Sequence, residues 1–346
     1  MKFSNTLTKW YLQNKRDLPW RETQDPYLIW LSEIILQQTR VSQGLPYYFS
    51  FVNAFPTILD LANASEEQIL KLWQGLGYYS RARNLHKTAQ YVAFELNGKF
   101  PVNYNGLLLL KGVGDYTAAA IASFSYNEAV PVVDGNVFRV LSRYFDIKTD
   151  ISLSAAKKEF AAMAFELMEK KHSGLFNQAI MEFGALQCVP KNPDCGICVF
   201  NGSCTALHLK KVNQLPFKTN KLVVRSRFFN YVIFLDNDNR TIIHKRSAKD
   251  IWQNLYEFPL IETDKEEGLD FISGRVLAGQ FVNNEVVSIS EMSTGAQIHK
   301  LTHQRLYIKF WEVKLEGSVE KGIDYKSMIT FPFPVVIFNF IEKEMK

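Results

Sequence analysis

Outside residues 188 to 204 the 346-residue chain has no cysteine. It also has no apolar run approaching the roughly 20 residues that cross a bilayer, which argues against a membrane span. The opening residues, MKFSNTLTKW, lack the apolar core of a secretory signal. There is no internal repeat and no low-complexity segment. At 47% hydrophobic and 22% charged, the composition shows no sign of disorder. The length suggests two domains rather than one core. The expected setting is the cytoplasm, where clustered thiols serve as metal ligands more often than as disulfides.

What the chain does have is four cysteines in one short stretch, CVPKNPDCGICVFNGSC: Cys188, Cys195, Cys198 and Cys204. Only one C-x-x-C pair is present, whereas a zinc ribbon usually has two. Three cysteines wind around one point and Cys188 approaches from outside. Gly196 and Gly202 supply tight turns. Four thiolates suit an iron–sulfur cube or zinc, and the spacing alone does not choose between them.

Charge and pattern both change near residue 210. Residues 1–224 carry 24 Lys and Arg against 18 Asp and Glu, while the remainder is close to neutral. A modestly basic first part fits a polyanion partner without requiring one. The first two hundred residues read as successive helices. Asp25-Pro26 is an N-cap followed by a first-turn proline, and the amphipathic run after it continues through Val41. Asn63 to Trp73 and Arg81 to Leu96 show helical spacing. The basic stretch KKVNQLPFKTNK reads as a linker. Beyond it, RFFNYVIFLDNDNRTIIHKR reads as two strands around an Asn/Asp turn, and HKLTHQRLYIKFWEVKL as a strand pair or one long strand.

In LLLLKGVGDYTAAAIASFSY a helix is expected to end at Lys111. Gly112-Val113-Gly114 then turns, and a second helix starts at Asp115. Glycines and exposed helix-start amides suit a phosphate backbone. About twenty residues on, Asp134 opens another helix in VPVVDGNVFRVLSR. Glu33 sits mid-helix among Leu31, Ile34, Ile35 and Leu36, where burial should raise its pKa and keep it protonated.

These features together resemble the iron–sulfur DNA glycosylases of the helix-hairpin-helix superfamily. LPWR at 18–21, WLSEIILQQTRV at 30–41, LWQGLGYYSRARNLHK at 72–87 and VDGNVFRVL at 133–141 narrow the resemblance to adenine glycosylases acting opposite 8-oxoguanine. The implied fold class is mainly α: a helix-hairpin-helix domain over 1–209 with a [4Fe–4S] loop at 188–204. A linker at 210–224 and a C-terminal α+β Nudix-like domain at 225–346 would follow. The resemblance implies Glu33 as the acid that protonates adenine and Asp134 as the carboxylate that stabilises the sugar cation, with Tyr116 and Asn136 in support. Arg21, Trp30 and Glu182 would surround the extruded adenine. Gln38, Thr39, Leu76 and Tyr78 would lie at the wedge and near the orphaned 8-oxoguanine. Gly112, Val113, Gly114 and Lys191 would meet the DNA backbone, and the four cysteines would hold the cluster. The implied partner is duplex DNA in the nucleoid, bound by a monomer.

Departures from family patterns also inform the chemistry. Endonuclease III-like glycosylase/lyases place a lysine where Tyr116 stands, and bacterial adenine glycosylases often have a lysine where Phe138 stands. Loss of both amines favours hydrolysis over a Schiff base. An endonuclease III-like enzyme for oxidised pyrimidines, or a DNA-binding protein without chemistry, remain the rival readings. IWQNLYEFP at 251–259 and KLTHQRL at 300–306 resemble the C-terminal domain of the family. That region lacks the acidic pyrophosphohydrolase box, so binding without hydrolysis is expected. Thr302 and His303 fall where the family reads 8-oxoguanine, with Leu301-Thr302-His303 in place of the usual Phe-Ser-His.

Overall fold

A computed structural model of the chain describes residues 3–219, 224–278, 281–292 and 295–345. Two units make up the chain: Met1–Asn63 with Asn84–Asn220, and Ala64–Arg83 with Lys221–Lys346. Residues 64–83, which lie within the helical half of the sequence, therefore pack with the C-terminal part.

In chain order the helices up to residue 208 are α1 (Phe3–Asn14), α2 (Pro26–Leu36), α3 (Val41–Ala54), α4 (Ile58–Asn63), α5 (Glu66–Leu72), α6 (Ser80–Gln90), α7 (Tyr104–Leu107), α8 (Asp115–Tyr126), α9 (Gly135–Phe145), α10 (Ser154–Leu167), α11 (Ser173–Leu186) and α12 (Thr205–His208). α5 and the first residues of α6 belong to the second unit. In the first unit, one core joins α1, α9, α10 and α11 through Leu7, Val137, Leu141, Phe160, Phe176 and Ile180. α2 begins as its sequence dictates. Asp25 Oδ1 accepts the Tyr27 amide at 2.8 Å and Pro26 fills the first turn. Every residue from Ile29 to Ile35 is buried, so α2 is a central helix rather than an amphipathic surface one.

Several expectations about elements need correction. α2 stops at Leu36 and does not run through Val41. Gln38 turns left-handed (φ 56°), which breaks the helical ladder before α3 starts at Val41. The helix before Gly112 is only Tyr104–Leu107, and the backbone then tightens into i→i−3 bonds at Leu109 and Leu110. Nor is the expected linker free chain up to residue 219. Leu215 is buried, and the carbonyls of Val212 and Leu215 accept from Arg143 Nε at 2.9 and 3.1 Å. The rest of that linker, residues 220–223, lies outside the described residues.

The second unit is built on a mixed sheet. Its strands are β1 (Arg225–Leu235), β2 (His244–Lys245), β3 (Tyr256–Glu257), β4 (Leu260–Thr263), β5 (Val286–Glu291), β6 (Gln297–Lys300) and β7 (Gln304–Leu315), with α13 (Leu269–Leu277), α14 (Tyr325–Met328) and α15 (Val335–Glu344). The order is β4-β1-β7-β5, with β6 also paired to β7. β1 and β7 run parallel, from Arg225 opposite Gln304 to Leu235 opposite Lys314. Phe229 to Phe234 are buried without alternation, as a parallel strand covered on both faces requires. The turn at Asp236–Asn239 exists, but it does not return a partner strand to β1. Thr241 instead bridges Ile323, and β2 pairs with β3. Of the two arrangements expected for HKLTHQRLYIKFWEVKL, a strand pair or one long strand, the structure has the pair: β6 and β7 are antiparallel, with Leu301 to His303 at the turn.

Candidate active site

A cleft of about 880 Å³ in the first unit is lined by Glu33, Gln38, Gly114, Tyr116 and Asp134, with the exposed amines of Lys157 and Lys158 beside them. Three helix ends deliver its chemistry. Glu33 lies in the last turn of α2 and is 6% exposed. Asp134 is the N-cap of α9. Its Oδ1 accepts the Val137 amide at 2.8 Å, and its Oδ2 accepts Asn136 Nδ2 at 2.7 Å. Tyr116 enters from the first turn of α8 and is hydrogen-bonded to Glu33. Gly184 on α11 makes room for this arrangement, since a Cβ there would come within 2.6 Å of Asn136 Cβ.

The electrostatics separate the two carboxyls. Burial pushes Glu33 up to about 7, opposed by the Tyr116 hydrogen bond and by Arg21, and aided by the negative charge of Asp134. Burial also raises Asp134, but the Val137 amide, the Asn136 groups and Arg139 pull against it. Tyr116 is held neutral, far above its ordinary pKa, mainly by burial. The cleft therefore offers a carboxylic acid half-protonated near neutral pH beside a second, hydrogen-bonded carboxylate. That is the pairing needed to protonate a leaving group and to stabilise a sugar cation.

Glu182 lies behind them, 1% exposed. Burial would raise its carboxyl, yet Arg21 and Arg16 hold it down to about 2. Arg21 reaches it at 2.9 and 2.6 Å, and Arg16 binds it through Nε, Nη2 and its own amide at 2.9, 2.6 and 2.9 Å. Arg21 thus connects Glu182 to the field at Glu33. Arg16 was not singled out in the sequence, because nothing local marks a partner 166 residues away. Trp30 stands apart from the cleft-lining residues: it is fully buried, with its ring 5.5 Å from Phe100 and 6.3 Å from Tyr27. Gln38 lines the cleft, and Thr39 Oγ1 donates to the Gln37 carbonyl at 3.3 Å.

Gly112 adopts φ +79°, and a Cβ there would lie 2.8 Å from Asn84 Cβ, so the hairpin needs glycine on both counts. Val113 is buried beneath it, while Gly112 and Gly114 are exposed. Lys191 is exposed on the cysteine loop.

The four cysteines are free thiols around one cavity, walled by Val140, Phe183 and Phe200. Burial pushes Cys198 up to about 11 and raises Cys195 and Cys204, with the neighbouring thiols adding to the effect. Arg143 Nη1 and the Phe200 amide each donate to a sulfur at 3.4 Å, on Cys188 and Cys198 respectively. Cationic and amide donors aimed at sulfur suit thiolates bound to a centre. Among the described residues, no three His, Cys, Asp or Glu groups converge as ligands of a single ion. Arg139 and Arg143 were missed in the sequence, although they interrupt the apolar face of α9 four residues apart. Arg139 Nη2 donates to Asn136 Oδ1 at 2.8 Å and its Nε to the Cys188 carbonyl at 2.7 Å, joining the Asp134 cap to the cysteine loop.

In the second unit, a pocket of about 490 Å³ is lined by Leu76, Tyr78, Trp252, His299, Thr302 and His303. Leu76 is buried, whereas Tyr78, Thr302 and His303 are exposed. The Tyr78 and Thr302 hydroxyls are hydrogen-bonded to each other.

Residues 31–164 match the HhH-GPD superfamily of base excision DNA repair proteins, and residues 230–343 match the NUDIX domain. The adenine DNA glycosylase of Buchnera aphidicola subsp. Schizaphis graminum is 33% identical over 309 residues, covering 88% of this chain and 86% of that one. The human adenine DNA glycosylase is 43% identical over 222 residues, 62% of this chain and 41% of that one. Among solved structures, a thermostable thymine-DNA glycosylase is 30% identical with a TM-score of 0.55, over 60% of this chain and 95% of the other. A trapped endonuclease III–DNA covalent intermediate shares the fold at 20% identity, with a TM-score of 0.53, over 60% of this chain and 94% of the other. No helix among the described residues is long and apolar enough to cross a membrane.

Proposed function

Given that the chain belongs to the adenine DNA glycosylase family, we propose that its substrate is adenine standing opposite 8-oxoguanine or guanine in duplex DNA. It is a base-excision repair enzyme, a hydrolase of N-glycosidic bonds. The observation that carries the chemical reading is the pair of carboxyls in one cleft, buried Glu33 near 7 and half-buried Asp134 accepting from the Val137 amide and Asn136 Nδ2.

The adenine is extruded from the duplex into that cleft. Glu33 gives its proton to the base as the bond from nitrogen to the sugar breaks, and the bonding pair leaves with the base. Asp134 faces the sugar cation and stabilises it. Water then adds to the sugar carbon and loses its proton to Glu33. With Tyr116 in place of an amine, no Schiff base forms and the strand stays unbroken, so the enzyme is monofunctional. Gly112, Val113, Gly114 and Lys191 contact phosphates, where amides and an exposed ammonium serve without reading sequence.

Cys188, Cys195, Cys198 and Cys204 hold a [4Fe–4S] cluster, which ties down the loop carrying Lys191 and takes no part in bond breaking. Four sulfurs around one apolar-walled cavity, with donors on two of them, suit a bound thiolate-held centre, and the family likeness favours a cluster over a single zinc. Protein purified without oxygen should be brown and contain about four irons per chain by that stoichiometry. One zinc and no iron by elemental analysis would reverse the assignment.

Lesion reading belongs to Thr302 and His303 at the β6–β7 turn. 8-Oxoguanine differs from guanine by an N7–H donor and an O8 acceptor, and a hydroxyl and an imidazole can pair with both. One or two such bonds are worth roughly 1–3 kcal/mol, or about tenfold to a hundredfold in rate. Thr302→Ala and His303→Ala should each lower the preference for 8-oxoguanine over guanine towards that size while keeping adenine release opposite guanine. Unchanged ratios of single-turnover rates in both variants would remove the reading role.

A further inference from the structure

We infer that Lys71, far from the bond-breaking groups in sequence, is a positioning residue that holds the Leu76–Tyr78 loop in register with the Thr302–His303 turn. The inference rests on the proposed role of that loop and turn at the lesion.

The loop has an unusual backbone. Gly75, Gly77 and Tyr78 all take positive φ, at 102°, 71° and 47°. For tyrosine this is a conformation that its surroundings must enforce. Part of the enforcement is local. The Trp73 indole donates to the Gly77 carbonyl at 3.0 Å, and Arg81 Nη2 donates to the carbonyls of Leu76 and Gly77 at 3.1 and 3.3 Å. These bonds shape the loop but do not fix where it sits.

Its place is fixed through α5. Lys71 Nζ donates to the Ile329 and Phe331 carbonyls at 2.6 and 3.2 Å and lies 4.4 Å from the centre of the Phe338 ring. One turn on, Gln74 Oε1 accepts the Phe333 amide at 3.3 Å. On the preceding turn, Glu67 Oε1 accepts from the Tyr256 hydroxyl at 2.7 Å and from Lys245 at 3.1 Å. Beyond the loop, Arg83 Nη1 donates to the Gln253 carbonyl at 2.8 Å. Both ends of the loop are thus tied to the C-terminal part of the chain, and Tyr78 meets Thr302 between them. Lys71 is the central tie. It satisfies two carbonyls in the irregular segment between α14 and α15, neither of which has a helical partner to fall back on.

The test uses the full chain and two substrates. One duplex carries adenine opposite 8-oxoguanine. The other carries adenine opposite an abasic site, which leaves no partner base to displace and no lesion to read. Lys71→Met keeps the stem and loses the donor. Its single-turnover rate should fall about tenfold on the first duplex and stay within about twofold on the second. Lys71→Arg, which keeps a cation and donors, should recover most of the loss. Tyr256→Phe removes the tie at Glu67, one turn earlier on the same face of α5, without touching Lys71, and should lose less in the same direction. It keeps the inference testable if Lys71→Met folds poorly. Equal losses on both duplexes, or no loss from either variant, would overturn the inference. If Leu76→Ala and Tyr78→Ala themselves leave the first rate unchanged, the assignment of the loop is at fault rather than its anchoring.

Discussion

Glu33→Gln should abolish adenine release while duplex binding stays near wild type. Glutamine keeps the size and polarity of the side chain but has no proton to give at the moment the glycosidic bond breaks. An interaction needed only in the transition state lowers the rate without weakening the ground-state complex. General acids contribute about a hundredfold to ten-thousandfold, and the leaving base here depends on a single one, so a loss of about a thousandfold or more is expected. The wild-type pH profile should carry the same signature. Glu33 is raised by burial from 4.5 to about 7, so the acid form and the rate both decline as pH rises through about 7. Stability follows the same window. The folded state holds this proton more tightly than the unfolded one, so the contribution of Glu33 is fully present below about 4.5 and lost by the time pH has passed about 7. Above that pH the glutamine variant should melt at a higher temperature than the parent. Near wild-type single-turnover release by Glu33→Gln would refute the assignment.

Asp134→Asn should cost about a hundredfold to a thousandfold in the single-turnover rate, the size seen when a preorganised partner of transition-state charge is removed. Asp134 has two tasks that this change separates. Its Oδ1 caps α9 by accepting the Val137 amide, and asparagine caps as well as aspartate. In the proposed reaction its charge faces the developing sugar cation, and asparagine has none. Beyond the charge, asparagine gives up only the Oδ2 contact with Asn136 Nδ2, so the melting temperature should fall less than in Asp134→Ala while the rate falls. Asp134→Ala should lose the rate and also about 1 kcal/mol of cap energy. If the asparagine variant kept its rate to within about threefold of wild type, Asp134 would be only a cap.

What the sequence disclosed was local chemistry. Asp25-Pro26 starts α2 because cap and proline act within one turn. Glu33 reads as a buried acid because its neighbours on α2 are apolar. Asp134 reads as a cap because α9 follows it directly. The long-range arrangement was hidden. Arg16 and Arg21 find Glu182 more than 160 residues away. β1 pairs in parallel with β7 rather than with the nearer segment across its own turn. Residues 64–83 look like any other helical stretch, and it takes long-range ties, such as those of Glu66, Glu67 and Lys71 to partners beyond residue 240, to join them to the second unit. Deleting 225–346 would strip α5 of its supports as well as removing Thr302 and His303. Point changes at the turn therefore isolate lesion reading better than truncation does.

The most direct measurement is base release by the wild-type chain from four duplexes, carrying adenine opposite 8-oxoguanine, opposite guanine or opposite thymine, or an oxidised pyrimidine opposite its normal partner. Free adenine and an unbroken abasic strand are expected, fastest opposite 8-oxoguanine, slower opposite guanine and absent opposite thymine, with the oxidised pyrimidine untouched. Release of the oxidised pyrimidine with strand cleavage, or no base release from any duplex, would contradict the proposed function.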